Sequence, residues 1–342
     1  MTRISRWLLG GALLALAGAA SAAEYPAPVA LQTGAQADVS KLKPARNVTI
    51  AYMPPATEFN YYIAIGEGIK AEAKKSGIKT FMLAPQSGAD INGQMGMIQD
   101  AITRRVNAII LSTHDEAAAA PLVKRAVDAG IAVVIVNSDI ANFPTPVHGV
   151  VGYSQRKGTH KIGDYLLEKL KGQGTKVGVI EGLPGYHSTE RCGGFLDAVK
   201  GKPGVEVVAS MPGGWNVEGG NTAGMDLLQA HPDVKVVFAA NDYMIMGVAQ
   251  AAKSLGRRDL VLLGNDGDTA ALEAIHKGDL TATVNTTPFV MGQVALRVTR
   301  DALERKFKGG FVETPTSIVD KTNVLPVLKA PDTLYPKPSM KY

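Results

Sequence analysis

From Asn47 onward the chain alternates short apolar runs with longer stretches whose apolar residues recur every three or four positions. Val48–Met53 is a mostly apolar run closed by Pro54-Pro55. Across Tyr61–Ser76, Ile65, Ile69 and Ala73 fall on one helical face, and Gly77 is a suitable C-terminal stop. The pattern then predicts a strand at Thr80–Leu83 and a helix at Ile91–Arg105 with Met95, Ile98 and Ile102 in register. A strand at Ala108–Leu111, a helix at Ala117–Ala129 stopped by Gly130, and strands at Ala132–Val136 and Val147–Val151 follow.

After a helix at Lys157–Leu170 the rhythm repeats. Strands are predicted at Lys176–Ile180, Val205–Ala209, Val234–Ala239, Leu260–Leu263 and Thr281–Val284. Helices at Arg191–Lys200, Asn221–Ala230, Ile245–Leu255 and Thr269–Lys277 fill the gaps, with Val290–Phe307 a further helix and Ser317–Val319 a last strand. Runs this rich in valine and isoleucine suit strands buried on both faces, as in a parallel sheet between helix layers. Two successive β-α series therefore predict an α/β protein of two doubly wound parallel-sheet lobes.

The ends read differently. Arg3 and Arg6 precede an apolar run, Trp7–Ala17, too short to span a bilayer, and Ala20-Ser21-Ala22 is a small-residue cleavage pattern. Residues 1–22 are expected to be an export signal. Residues 23–46, rich in Ala, Pro, Gln and Lys, read as a loose leader, and 329–342, with Pro331, Pro336 and Pro338, as a loosely attached tail. No other run has the length of a membrane span, so no stable membrane insertion is expected.

Composition narrows the class. The 342 residues are 46% hydrophobic and 20% charged, an ordinary globular balance at a length suited to about two domains. The net charge is 36 − 31, or +5, and removing Arg3 and Arg6 leaves 34 − 31, or +3, too little to argue for nucleic acid. A single cysteine, Cys192, excludes an internal disulfide framework and a cysteine-built zinc site. An exported protein with one cysteine points to a bacterial periplasm.

In open α/β sheets ligands sit beyond the carboxyl ends of the strands. There the chain places Asn137-Ser138-Asp139, Asn241-Asp242, Asn265-Asp266-Gly267 and Asn285-Thr286-Thr287, with Phe59, Tyr61, Tyr62 and Trp215 in or beside such loops. Asn and Asp offer the acceptors and donors that vicinal hydroxyls need, and aromatic rings cover the C–H faces of a sugar or polyol. His187 is placed near this cleft and His114 at its rim. The phosphate-binding pattern G-x-x-x-x-G-K-[ST], a G-x-G-x-x-G after the first strand, H-E-x-x-H and G-x-S-x-G are all absent. No cofactor, no metal and no catalytic residue is therefore expected.

One family joins these observations. Phe59-Asn60-Tyr61-Tyr62 with Gly66-Glu67-Gly68, Gly152-Tyr153-Ser154 with Gly163-Asp164-Tyr165, and Glu190-Arg191 with Gly194-Phe195 occur in order. His231-Pro232-Asp233-Val234, Phe238-Ala239-Ala240-Asn241-Asp242 and Gly264-Asn265-Asp266-Gly267 complete the set. From Asn47 to Val327 the chain resembles the periplasmic substrate-binding proteins of the ribose-binding type, whose core fold is shared with the effector domain of lac-repressor-like regulators.

The resemblance implies two lobes, 47–152 with 288–314 and 153–287 with 315–328, joined by a three-crossing hinge near Gly152-Tyr153, Thr287-Pro288 and Pro315. It places an aromatic clamp on Tyr61, Tyr62 and Trp215, and hydroxyl-binding groups on Asn241 and Asp266. Phe59 stands where the ribose-type pattern has asparagine, Thr286 at a usual glutamine, and Asn265 at a usual aromatic. Asn137-Ser138 replaces Asp-Arg, and Thr189 replaces a second arginine; Asp139 restores the acid if the register slips. The expected binding set is Phe59, Tyr61, Tyr62, Asn137, Ser138, Thr189, Trp215, Asn241, Asp266 and Thr286. Its missing arginines point to a small neutral polyhydroxylated ligand. The resemblance implies a monomeric, non-catalytic solute-binding component of an ABC transporter, handing its ligand to a membrane permease. The alternative is a periplasmic sensor or chemoreceptor ligand-binding protein for a sugar-like or autoinducer-like molecule.

Overall fold

The computed structural model describes residues 25–43 and 45–330. The expected export signal lies outside these residues, as does the tail from residue 331. One six-stranded sheet contains β1 (Thr49–Met53), β2 (Lys79–Met82), β3 (Ala108–Leu111), β4 (Ala132–Val136), β5 (Gly149–Gly152) and β11 (Phe311–Glu313), in the order β11-β5-β4-β3-β1-β2. The other contains β6 (Thr175–Glu181), β7 (Val205–Pro212), β8 (Val236–Ala239), β9 (Val261–Asp266), β10 (Ala282–Asn285) and β12 (Ser317–Asp320), in the order β12-β10-β9-β8-β6-β7. All neighbours pair in parallel except β10 and β12.

Both sheets reverse strand order beside their first strand, which opens a crevice at the carboxyl ends. The central strands explain their own position. Ala108–Leu111, Ala132–Val136 and Val236–Ala239 are buried at every residue, because helices cover both faces. Those helices are α1 (Asn60–Ser76), α2 (Ile91–Thr103), α3 (Glu116–Asp128) and α9 (Pro288–Leu303) on the first sheet. On the second they are α4 (Gln155–Leu170), α5 (Tyr186–Val199), α6 (Val217–Ala230), α7 (Asp242–Ser254) and α8 (Thr269–Lys277), with α10 (Val324–Leu328) packed on α8. The chain passes between the sheets three times: from β5 to α4, from β10 to α9, and from β11 to β12.

The leader is not loose over its described part. Ala35, Ala37, Val39 and Leu42 are buried, and Val29 forms a bridge with Phe311. The Gln36 side chain donates to the carbonyls of Val147 and His148 and accepts from the Gly310 amide. Small apolar residues without helix or strand periodicity pack here against the edge that β5 and β11 make, an arrangement that periodicity cannot signal. The three-residue strand β11 and the five-residue helix α10 are further additions to the predicted elements. β9 also runs past its predicted end, so that Asp266 is its last residue.

Candidate ligand-binding cleft

The carboxyl ends of the two sheets face one another. From the first lobe come Phe59 in the loop after β1, Tyr61 and Tyr62 in the first turn of α1, His114 after β3 and Asn137 after β4. From the second come His187 and Arg191 on α5, Trp215 after β7, Asn241 and Tyr243 at the start of α7, and Asp266 at the end of β9. Together they line one cavity between the lobes.

Arg191 and Asp266 form the polar centre. Arg191 Nη1 is 3.1 Å from Asp266 Oδ1 and donates also to the Ala240 carbonyl, while its Nε donates to Gln155 Oε1 at 2.7 Å. The guanidinium lies 5.4 Å from the Trp215 ring and 5.7 Å from that of Tyr153, close enough for cation–π attraction. Burial pushes the Asp266 pKa up to about 7, against the pull of Arg191. Burial pushes His114 down to about 4 and His187 well below its usual value, with Arg191 adding to both shifts. Both rings are therefore uncharged at neutral pH.

The backbone around these groups is strained. Asn137, Trp215 and Asp266 have φ of 62°, 71° and 137°, values that residues with a Cβ rarely adopt. Around Asp266 the restraint is visible: buried Asp242 accepts from the amides of Gly267 and Asp268, each at 2.8 Å, and from Thr283 Oγ1 at 2.6 Å. This one carboxylate ties the turn after β9 to β10. Burial and the Asp266 charge push its pKa well up, against the hydrogen bonds from Thr283 and the Asp268 amide. Trp215 owes its position to Gly182, where a Cβ would stand 2.1 Å from the indole ring.

A family model described as periplasmic binding protein domain matches residues 50–307. The chain belongs to the periplasmic binding protein family. It is 31% identical to the D-ribose/D-allose-binding protein of Pseudomonas aeruginosa, over 79% of this chain and 88% of that one. It is 32% identical to the ribose import binding protein of Bacillus subtilis, over 75% of this chain and 82% of that one. An ABC transporter solute-binding protein of Mycobacterium smegmatis, solved with bound glycerol, is 29% identical at a TM-score of 0.77, over 85% of this chain and 100% of that one.

In this binding protein seven of the residues expected in the site line the cavity: Phe59, Tyr61, Tyr62, Asn137, Trp215, Asn241 and Asp266. Three do not. Ser138 is buried, and its Oγ accepts from the Ile140 amide within the turn after β4. Thr286 lies beneath the cavity floor, 2.9 Å from the Tyr61 hydroxyl. Thr189 is exposed, because α5 starts at Tyr186 and turns His187, Ser188, Arg191 and Cys192 inward instead.

Arg191 lines the cavity beside Asp266, a cation that the expected binding set left out. Asn241 has less to offer a ligand than its position implies: its Oδ1 caps α7 through the Met244 amide and its Nδ2 holds the Trp215 carbonyl. Arg191 appeared in the sequence only within a motif, and Tyr243 was missed, although it stands two residues beyond Asn241. His114 is a wall of the cavity, with its ring stacked 6.4 Å from Trp215.

Proposed function

We propose that this protein is the solute-binding component of an ABC transporter, taking a small neutral sugar or polyol between its lobes and delivering it to a membrane permease. The buried Arg191–Asp266 pair carries the reading. With Asp266 ionised, it sets a charged donor beside a charged acceptor with no net charge, a combination that suits vicinal hydroxyls and favours neither an anion nor a cation. Phe59, Tyr62, Trp215 and Tyr243 supply flat apolar faces around it. The ribose- and allose-binding relatives support the ligand class.

Delivery follows from the two-lobe construction. Ligand contacts made from both lobes are satisfied together only when the lobes are closed, so ligand shifts the population toward that form. The export reading of residues 1–22 fits a periplasmic carrier. The relatives are binding proteins, and the ligand is expected to leave chemically unchanged.

A thermal-shift screen of sugars, polyols and sugar acids, followed by calorimetry on the hits, tests the proposal. Stabilisation by neutral polyhydroxylated compounds is expected. Selective stabilisation by acids alone, or recovery of a converted product after hours of incubation, would overturn it.

A further inference from the structure

The two walls of the cleft differ in what they have left to offer. Tyr61 Oη is 2.9 Å from Asn137 Oδ1 and 2.9 Å from Thr286 Oγ1. An amide oxygen only accepts, so the phenol proton goes to Asn137. Thr286 Oγ1, which also lies 3.1 Å from the Asp266 carbonyl, completes the chain from below. The phenol is wholly buried and stays protonated, because burial raises its pKa well above 10. Asn137 Nδ2 and His114 Nε2 are each 3.5 Å from Tyr62 Oη. At Tyr61 the phenol proton and Asn137 Oδ1 are thus spent on each other, while the contacts of Tyr62 are long.

The second lobe is arranged otherwise. Both side-chain hydrogen bonds to Asp266 end on Oδ1, which leaves Oδ2 without a protein donor among the described residues. His187 lines the cavity, and its buried Nδ1 has no hydrogen-bond partner among the described residues.

We propose that the Tyr61 hydroxyl takes the place of a ligand hydroxyl, so that the cleft selects a deoxy or chain-shortened sugar or polyol, with hydroxyls toward Asp266 and His187 and none toward Tyr61. The inference deepens the solute-binding reading and rests on it. A hydroxyl pressed against the first lobe at Tyr61 finds Asn137 Oδ1 already bonded and loses its water without replacement, a penalty of about tenfold in affinity. Tyr61 is thereby a specificity-determining residue that acts by exclusion.

Calorimetry with D-ribose, 2-deoxy-D-ribose and 5-deoxy-D-ribose, and with D-allose and 6-deoxy-D-allose, tests this on the wild type and on Tyr61→Phe. In the wild type at least one deoxy sugar is expected to bind as tightly as its parent or more so. In Tyr61→Phe, which frees Asn137 Oδ1, the ratio is expected to move about tenfold toward the parent. Parents that bind more than tenfold tighter than every deoxy analogue in the wild type, or a ratio unmoved in a normally melting Tyr61→Phe, overturn the inference alone. Failure of every neutral sugar and polyol of the wider screen to bind the wild type overturns the proposed function along with it. The wild-type comparison decides by itself if the variant does not fold.

Discussion

Arg191 Nη1 and Asp266 Oδ1 stand 3.1 Å apart, and the two residues are only 5% and 4% exposed. A pair this deep is costly to desolvate, and its net contribution to stability is small. Its value lies in geometry: Gln155, Ala240 and Asn265 fix both side chains, so their remaining polar atoms meet a ligand already oriented. Removing either partner leaves the other buried and unmatched.

Asp266→Asn keeps the shape and removes the charge. Affinity for the best screened sugar should fall about 10- to 150-fold, the equivalent of ~1.5–3 kcal/mol for a charged hydrogen bond. In the wild type, protonation of Asp266 near pH 7 should also weaken binding as pH falls from 8 to 6. His114, held near 4, stays neutral across that range and adds nothing. Calorimetry checks both, and a loss below about threefold in a folded variant would reject Asp266 as a principal contact.

His148 is expected to make the protein acid-sensitive. Its Nδ1 accepts from the Val133 amide at 3.0 Å, which requires an unprotonated nitrogen, and burial pushes its pKa down to about 4. A depressed histidine pKa gives stability that is fully present above about 6.5 and is lost as pH falls toward 4, or ~2 kcal/mol by pH 5. Asp266 acts in the opposite sense: with its folded pKa raised to about 7, its contribution is lost as pH rises through 7. The comparison must therefore be made between proteins. Between pH 7 and 5, urea melts of His148→Asn should show ~2 kcal/mol less acid destabilisation than the wild type. Equal pH slopes would remove His148 from the account.

Gly182→Ala should disable the aromatic cap. The new methyl would overlap the Trp215 ring, and displacing that ring breaks its contacts with Arg191 and His114. Overpacking of this kind costs ~1–3 kcal/mol in stability. Sugar affinity should fall at least about tenfold, read by calorimetry alongside a thermal melt. An unchanged affinity would show that Trp215 does not cover the ligand.

Closure should depend on Tyr186, whose hydroxyl donates to Asp139 Oδ1 at 3.0 Å across the lobes. A second bridge, from the Asn60 amide to Tyr243 Oη at 3.1 Å, closes the other flank. Small-angle scattering should show a smaller radius of gyration with saturating sugar. Tyr186→Phe should need more sugar, by about three- to tenfold, to reach the same compaction. Identical titrations would mean that this bridge does not hold the closed form.

The fold was legible in the sequence because its signal is local. Runs such as Ala132–Val136, and helices stopped at Gly77 and Gly130, are set by burial on two faces and by backbone freedom within a few residues. The strand-end rule likewise located Asn137, Asn241 and Asp266, since a doubly wound sheet leaves its ligand only one end to occupy. The sequence alone thus determined two α/β lobes and the loops that face the cleft.

Tertiary structure decided how each side chain in those loops is used. Asn241 is spent on capping α7, Thr286 on supporting Tyr61, and Asn137 on accepting from that same phenol. Thr189 turns outward and Arg191 inward because α5 begins earlier than its apolar pattern does. The buried leader, with Leu42 only 2% exposed, carries no period at all. Whether a polar group is free for a ligand depends on partners up to 225 positions away, as between Tyr61 and Thr286. Only the packed chain brings such pairs within hydrogen-bonding distance.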